Sequence, residues 1–246
     1  MAEEKEKSEG KLLEEKLFWK FPHIGKMAPE QIEEAAAFCE GYKVFLNEGK
    51  TERECVLTAV RMLEKAGYRP FERGKQYQPG DKVYQVNRHK SILATTFGQE
   101  PLDKGVRING AHIDSPRLDL KPCPLYEKNE IAFFKTHYYG GIRKYQWGTV
   151  PLALHGVAVK KDGTTISLCI GEEPGDPVFC ISDLLPHLAA KQNERKLAEG
   201  LKGEELNIIV GSLPFQDEAV KEPVKLMTMK LLYEKYGLTE ADFFRA

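Results

Sequence analysis

Residues 109–121 read NGAHIDSPRLDLK, and the chain changes character at this stretch. Before it, the pattern predicts an α/β part that closes with a buried strand over residues 106–111. After it, the pattern becomes mostly β. His112 and Asp114 are two residues apart, and side chains at positions i and i+2 of an extended chain lie on the same face. The stretch therefore predicts a histidine and a carboxylate that project together from the end of a strand.

This pair has two interpretations. A carboxylate beside a histidine can fix the tautomer and the orientation of a metal-binding ring, and loss of such a carboxylate typically weakens metal affinity or activity about 10–100-fold. The same spacing also occurs in surface turns, where the aspartate bonds to nearby backbone. Spacing alone leaves both interpretations open for His112 and Asp114.

Composition excludes several classes of protein. The 246 residues carry 36 Lys and Arg against 37 Asp and Glu, and this balance argues against nucleic acid or a membrane as partner. No apolar run is long enough for a signal peptide or a transmembrane helix. The five cysteines are scattered without a CxxC pair, which favours a reducing, cytoplasmic setting over a disulfide framework.

The chain up to residue 116 predicts helices followed by strands. Residues 1 to about 20 are interpreted as a solvated helical leader, and a second helix is expected over residues 28–46. A third begins at Thr51, which has the capping-box spacing to Glu54. Together with strands over residues 82–86, 92–96 and 106–111, these helices indicate a mixed α/β domain.

The chain from about residue 117 to 215 predicts a second, mostly β module. Strands are expected over residues 131–138, 150–160, 164–170 and 206–210, with a hairpin turn at residues 161–163 and a helix over residues 184–201. A last helix carries Val224 and Leu232 on one face and ends at Gly237. His155 lies in an apolar run and is interpreted as a structural histidine.

Five segments together carry a resemblance to a known family. They read NGAHIDSPRLDLKPCPLYE, FFKTHYYGGIRKYQW, VPLALHGVAV, ISDLLPHLA and SLPFQDEAVKEPVKLMTMKLLYEKYGLTEADF. From about residue 15 to 243, the chain resembles the aspartyl aminopeptidase and vacuolar aminopeptidase I type family of zinc metallo-aminopeptidases, in its bacterial branch.

The resemblance implies an α/β fold in which a zinc-exopeptidase catalytic domain is interrupted by a β-rich dimerisation insertion. Residues 1–116 would be the amino-terminal part of the catalytic domain and residues 117–220 the insertion. Residues 221–246 would be a helix that leads back toward the remaining catalytic part. The implied partners are peptide substrates and further copies of the chain in a homo-oligomer.

The resemblance also implies a metal-dependent aminopeptidase that releases amino-terminal residues through water activated by two metal ions, either zinc or, as alternatives, manganese or cobalt. His112 matches the first metal ligand, and Asp114 matches the catalytic-site carboxylate that orients it. The other ligands of the family have no counterpart in this sequence. We therefore expect the chain to correspond to an amino-terminal half that is inactive alone.

Two further points remain open from the sequence. In eukaryotic relatives a second histidine follows the PHLA segment, and Lys191 stands at that place here, so a preference for acidic residues is not predicted. The alternative function, from a different class, is a non-catalytic assembly or regulatory module. The mass of the native polypeptide separates the two, because a protein about twice this length would support the aminopeptidase.

Overall fold

The computed structural model describes residues 8–19 and 27–243. The chain divides after Glu48 into two compact units. The first contains helices α1 (Glu9–Leu17) and α2 (Pro29–Glu48), neither of which has a buried residue. The helix expected over residues 28–46 is confirmed by α2. Of the leader expected over residues 1 to about 20, residues 1–7 and 20 lie outside the described residues.

The second unit holds the remaining helices and all the strands of the described chain. Its elements are α3 (Glu52–Lys65), β1 (Arg69–Pro70), β2 (Lys82–Asn87), β3 (Ser91–Thr96), β4 (Arg117–Lys128), β5 (Ile131–Tyr139), β6 (Leu154–Val159), β7 (Thr165–Ile170), α4 (Ala190–Asn193), β8 (Ile208–Gly211) and α5 (Pro223–Tyr236). Short 3₁₀ turns lie at Leu102–Lys104, Lys144–Trp147, Leu197–Glu199, Gly203–Glu205 and Glu240–Phe243.

Within the described residues, the strands form three small sheets. β2 lies between β1, to which it is parallel, and β3, to which it is antiparallel. β4, β5 and β8 form an antiparallel sheet in that order, and β6 and β7 form a hairpin. The hairpin turn expected at residues 161–163 is confirmed, because it joins β6 to β7. The chain thus has the mixed α/β character that the sequence predicts.

One apolar core joins the β4–β5–β8 sheet, the hairpin and α5. Its buried members are Leu125, Ala132, Phe134, Leu168, Ile170, Phe179, Val210, Val224, Leu232 and Leu238. α3 packs instead against β2 and β3. Removing such side chains from water is the main favourable contribution to folding. Within the described ranges, no helix has both the length and the apolar content that crossing a bilayer requires.

Hydrogen bonds to side chains cap the amino termini of α3 and α5. Thr51 and Glu54 form the predicted capping box at α3: Thr51 Oγ1 accepts from the Glu54 N–H at 3.3 Å, and Glu54 Oε2 accepts from the Thr51 N–H at 2.9 Å. α5 has no side-chain cap from its own Glu222. Instead, Glu127 Oε2 on β4 accepts from the backbone N–H groups of Val224 at 3.0 Å and Lys225 at 2.9 Å.

The prediction of a strand over residues 106–111 is wrong. The segment has no regular structure, and Val106 and Ile108 are exposed. A strand is stabilised by hydrogen bonds to a neighbour, and among the described residues no strand pairs with this one. His112 consequently follows an irregular segment and precedes β4.

The helix predicted over residues 184–201 is also wrong, because only α4 forms a short α-helical turn within it. Pro186 disfavours helical backbone at the residue before it. The leucines that gave the segment its helical pattern do not reach a core: Leu184, Leu185, Leu188 and Leu197 are exposed. Without a buried face, a helix of this length gains little from packing.

Candidate metal centre

His112 and Asp114 lie together at the start of β4, as their spacing predicts. The Nδ1 atom of His112 is 2.9 Å from the backbone carbonyl oxygen of Asp114 and 3.3 Å from its carboxylate Oδ1. A carbonyl oxygen only accepts hydrogen bonds, so Nδ1 carries the proton. In the neutral ring, Nε2 is then left with its lone pair, and the side chain is 84% exposed.

Asp114 is itself held by the end of β5. The hydroxyl of Tyr139 donates to Asp114 Oδ2 at 2.8 Å. This hydrogen bond lowers the pKa of the Asp114 carboxyl below its ordinary value, and it raises the pKa of the Tyr139 hydroxyl. The carboxylate is therefore ionised near neutral pH and carries a defined orientation.

Arg117 completes this network by holding Tyr139. The two residues are direct partners across β4 and β5, and the guanidinium carbon lies 4.0 Å from the centre of the tyrosine ring. Arg117 Nε donates to Asp119 Oδ1 at 2.7 Å, and Nη1 donates to Glu52 Oε1 in the first turn of α3 at 3.0 Å. A cation over an aromatic face is attracted by the ring. β4, β5 and α3 thus hold Tyr139 in place, and Tyr139 in turn holds Asp114.

This arrangement suits a zinc ligand. Zinc takes the neutral imidazole nitrogen, and the second ring nitrogen of a zinc-bound histidine almost always donates to a carboxylate, a carbonyl or water. His112 has that tautomer, and its Nε2 is open to solvent. The structure brings His112 and Asp114 together, and their roles in metal binding stay predictions.

A second group of side chains, which could hold a metal ion, was not predicted from the sequence. His155, interpreted as a structural histidine, has Nδ1 2.9 Å from Glu54 Oε1 and Nε2 3.1 Å from Glu172 Oε1. Cys169 Sγ lies 4.0 Å from the same Nε2 atom. The signal available in the sequence was the β6–β7 hairpin, because its register places His155 opposite Cys169.

Comparison with known proteins identifies the family. The family model described as aminopeptidase I zinc metalloprotease (M18) matches residues 45–246. A probable M18 family aminopeptidase 1 from Clostridium acetobutylicum is 50% identical over 225 residues, which are 90% of this chain and 48% of that protein. The chain belongs to the M18 zinc metalloprotease family.

Solved structures agree with this assignment. An M18 aminopeptidase from Thermotoga maritima superposes with a TM-score of 0.82 at 45% identity and covers 92% of this chain and 49% of its own. The mApe1 dodecamer from S. cerevisiae, at 18% identity and a TM-score of 0.57 over 85% of this chain and 46% of its own, shares the fold. The chain spans about half the length of the curated relatives it matches.

Proposed function

We propose that the chain contributes the amino-terminal half of a metal-dependent aminopeptidase, in which His112 is a metal ligand and Asp114 orients its ring. The observation that supports this most directly is the 50% identity to a probable M18 aminopeptidase across 90% of the chain. The geometry supports it too, since the tautomer of His112 leaves Nε2 available to a cation.

Within the proposed site, each residue of this chain has one task. When bound, a pair of divalent cations supplies an activated water and stabilises the charge that develops on the substrate carbonyl oxygen. His112 would hold one cation through Nε2. Asp114 would keep the proton on Nδ1, and Tyr139, stacked under Arg117, would hold Asp114 in place. Zinc is the proposed metal, with manganese and cobalt as alternatives.

The proposal extends to domains, assembly and location. Residues 1–116 would belong to the catalytic domain, and residues 117–220 would form the β-rich insertion that builds a homo-oligomer. Residues 221–246 would be a helix that leads back toward the remaining catalytic part. The dodecamer described for the yeast mApe1 supports oligomerisation. Peptides are the proposed substrates. A reducing, cytoplasmic compartment is proposed for the protein because its five cysteines are all free thiols.

A chimera tests the catalytic role. These 246 residues would replace the matching half of the Clostridium acetobutylicum relative, to which they are 50% identical over 225 residues. Hydrolysis of aminoacyl p-nitroanilides with added Zn²⁺, Mn²⁺ or Co²⁺ is then measured. We expect chelator-sensitive turnover by the chimera and a fall in kcat/KM of at least about 100-fold in its His112→Ala variant, because a metal ligand is lost.

The matched control is His89→Ala in the chimera, since His89 is an exposed histidine in the turn between β2 and β3. This variant should retain full turnover. For the 246-residue chain alone we expect no turnover, because a single matched imidazole supplies only part of a two-metal ligand set. A folded chimera whose His112→Ala variant retains its activity would contradict the proposed ligand, and robust turnover by the chain alone would contradict its proposed inactivity.

A further inference from the structure

Three side chains that bind metals meet at the open end of the β6–β7 hairpin. The donor atoms of His155, Cys169 and Glu172 all lie within 4.8 Å of one another. His155 Nε2 is 4.0 Å from Cys169 Sγ and 3.1 Å from Glu172 Oε1. Tetrahedral zinc at its usual bond lengths separates a nitrogen from a sulfur ligand by about 3.6 Å and from an oxygen ligand by about 3.4 Å. The observed separations differ from these values by a few tenths of an ångström.

The backbone holds the three side chains in this arrangement. His155 and Cys169 are direct cross-strand partners, so their side chains leave the hairpin on one face. The hydroxyl of Tyr236 on α5 bonds to both the N–H and the carbonyl of Cys169. Gly171, with a φ of +106°, then turns the chain so that Glu172 returns toward His155.

The turn that carries Glu172 is anchored on both sides. Asp176 Oδ2 accepts from the N–H groups of Gly171 at 3.0 Å and Glu173 at 3.4 Å, which are the two neighbours of Glu172. Lys235 of α5 pairs with the other oxygen of Asp176 at 2.7 Å. The position of the Glu172 backbone is thus determined by contacts that do not involve its own side chain.

Glu54 holds the ring of His155 in place. Its Oε1 lies 2.9 Å from Nδ1, and a carboxylate accepts the proton of that nitrogen. Nε2 is the ring nitrogen that faces Cys169 and Glu172, at 4.0 Å from the sulfur and 3.1 Å from the carboxylate oxygen. The His155 side chain is only 12% exposed, whereas Glu172 is 41% exposed, so the ring is held and one side of the group is open to solvent.

The charge around the group favours a cation. Glu54, Glu172 and the thiol of Cys169 converge, and the Lys50 ammonium reaches Glu172 only at 4.0 Å. Burial, reinforced by the negative charge of Glu172, raises the pKa of the Cys169 thiol.

We propose that His155, Cys169 and Glu172 bind one Zn²⁺ ion, with a water as fourth ligand and Glu54 as the carboxylate partner of the His155 ring. A mixed nitrogen, sulfur and oxygen set favours zinc over the hard cations Mg²⁺ and Ca²⁺. Because Glu54 belongs to α3 and the ligands to the hairpin and its exit, the bound ion would tie α3 to the hairpin. The proposal rests on residues other than His112 and Asp114.

Cobalt titration of the 246-residue chain tests this site. The His112→Ala background removes that histidine as a competing ligand, and absorption from thiolate-to-cobalt charge transfer reports binding at a cysteine. We expect a band that saturates at one equivalent of Co²⁺ and disappears when Zn²⁺ is added. Cys169→Ser should abolish the band, whereas the matched control Cys39→Ser, at an exposed cysteine of α2, should keep it.

Glu54→Gln isolates the role of the carboxylate. Glutamine still serves in a capping box, so α3 keeps its cap. We expect Zn²⁺ affinity to fall about 10–100-fold, because the carboxylate that holds the ring is lost. Unchanged affinity would remove Glu54 from the proposal.

Alkylation of the wild-type chain tests the site without any substitution, so it does not depend on the folding of a variant. Alkylation by iodoacetamide, read by mass spectrometry, should be slowed at Cys169 by Zn²⁺ and unaffected by Mg²⁺, while Cys39 reacts equally under both conditions. Absence of both the thiolate band and the protection of Cys169 would overturn the proposal. Neither result bears on turnover by the chimera, so the two proposals fail separately.

Discussion

Gly171 occupies a position that other residues cannot adopt without strain. Its φ is +106°, and a Cβ added there would lie 3.1 Å from the Cα of Ala153 and 3.3 Å from the carbonyl oxygen of Leu152. Side chains of L residues rarely adopt this backbone region, so the residue combines a conformational and a steric requirement. Gly156 on the adjacent strand differs, because it has no positive φ and nothing lies within 4 Å of its missing Cβ.

These two glycines form a matched pair of substitutions. Gly171→Ala is expected to lower the free energy of unfolding by about 1–3 kcal/mol, the usual cost of a strained backbone position. Gly156→Ala should change it by about 0.5 kcal/mol or less, as is typical of sites without special features. Urea denaturation of both variants measures the difference. Equal losses would show that the turn at Gly171 is not strained by a side chain.

Contacts between single residues could be predicted from the sequence where the two residues are close in the chain or joined by one hairpin. His112 and Asp114 are two positions apart, and their side chains meet as the spacing predicts. His155 and Cys169 are equally far from the hairpin turn at residues 161–163, so counting register from that turn would have paired them. Glu54 contacts His155 across 101 residues, and no local pattern reports such a contact.

Among the elements, α3 shows how a short motif sets a helix boundary. Thr51 accepts the N–H of Glu54, and Glu54 accepts the N–H of Thr51, so two otherwise unpaired donors of the first turn are satisfied. The same turn places Glu52 against Arg117 and Glu54 against His155. One helix terminus therefore contacts His155 directly and also contacts Arg117, which stacks on the tyrosine that binds Asp114.

Thr51→Ala is expected to lower the free energy of unfolding by about 1 kcal/mol, because the hydroxyl that accepts the Glu54 N–H is lost. Thr51→Ser keeps a hydroxyl and should change stability by a few tenths of that amount. Thermal unfolding followed by circular dichroism measures both variants. If serine and alanine destabilise equally, the cap contributes nothing at this position.

Most elements were predictable from their sequence pattern. α2, α3, β2, β3, β5, β7 and α5 lie close to their predicted ranges. β4 was missed because Pro122 and Pro124 interrupt its strand pattern, and the structure accommodates them in a register shift between Leu120 and Leu125. The false helix over residues 184–201 has a different cause, since Leu184, Leu185, Leu188 and Leu197 are exposed and its apolar pattern is not matched by a continuous buried face.

For the whole molecule, Asp176 links the exit of the hairpin to α5. The hydrogen bond from Lys235, together with those from the backbone of Gly171 and Glu173, lowers the pKa of the Asp176 carboxyl. A carboxyl with a depressed folded-state pKa stabilises the fold above its unfolded-state pKa, and this contribution is lost as pH falls through the folded-state pKa. The link should therefore weaken in acid.

We expect Asp176→Asn to destabilise the chain at pH 7 and to have a smaller effect at a pH below the folded-state pKa, where the wild-type carboxyl is protonated. Urea denaturation at a series of pH values from 7 to the acid range gives the free energy of unfolding of the wild type and of Asp176→Asn as a function of pH. Exposed Asp217 provides the control. The free energy of unfolding of Asp217→Asn, plotted against pH, should run nearly parallel to that of the wild type. A constant difference between wild type and Asp176→Asn at all pH values would contradict the expected linkage.

The cap that Glu127 places on α5 has a consequence for the order of folding. Helical turns form from local hydrogen bonds, but the first turn of α5 obtains its acceptor from a residue 97 positions earlier in the chain. Closing so long a loop is slow compared with the formation of a helix. The carboxylate reaches Val224 and Lys225 only when β4 and α5 have come together. The cap at the amino terminus of α5 therefore depends on tertiary structure that the helix cannot supply by itself.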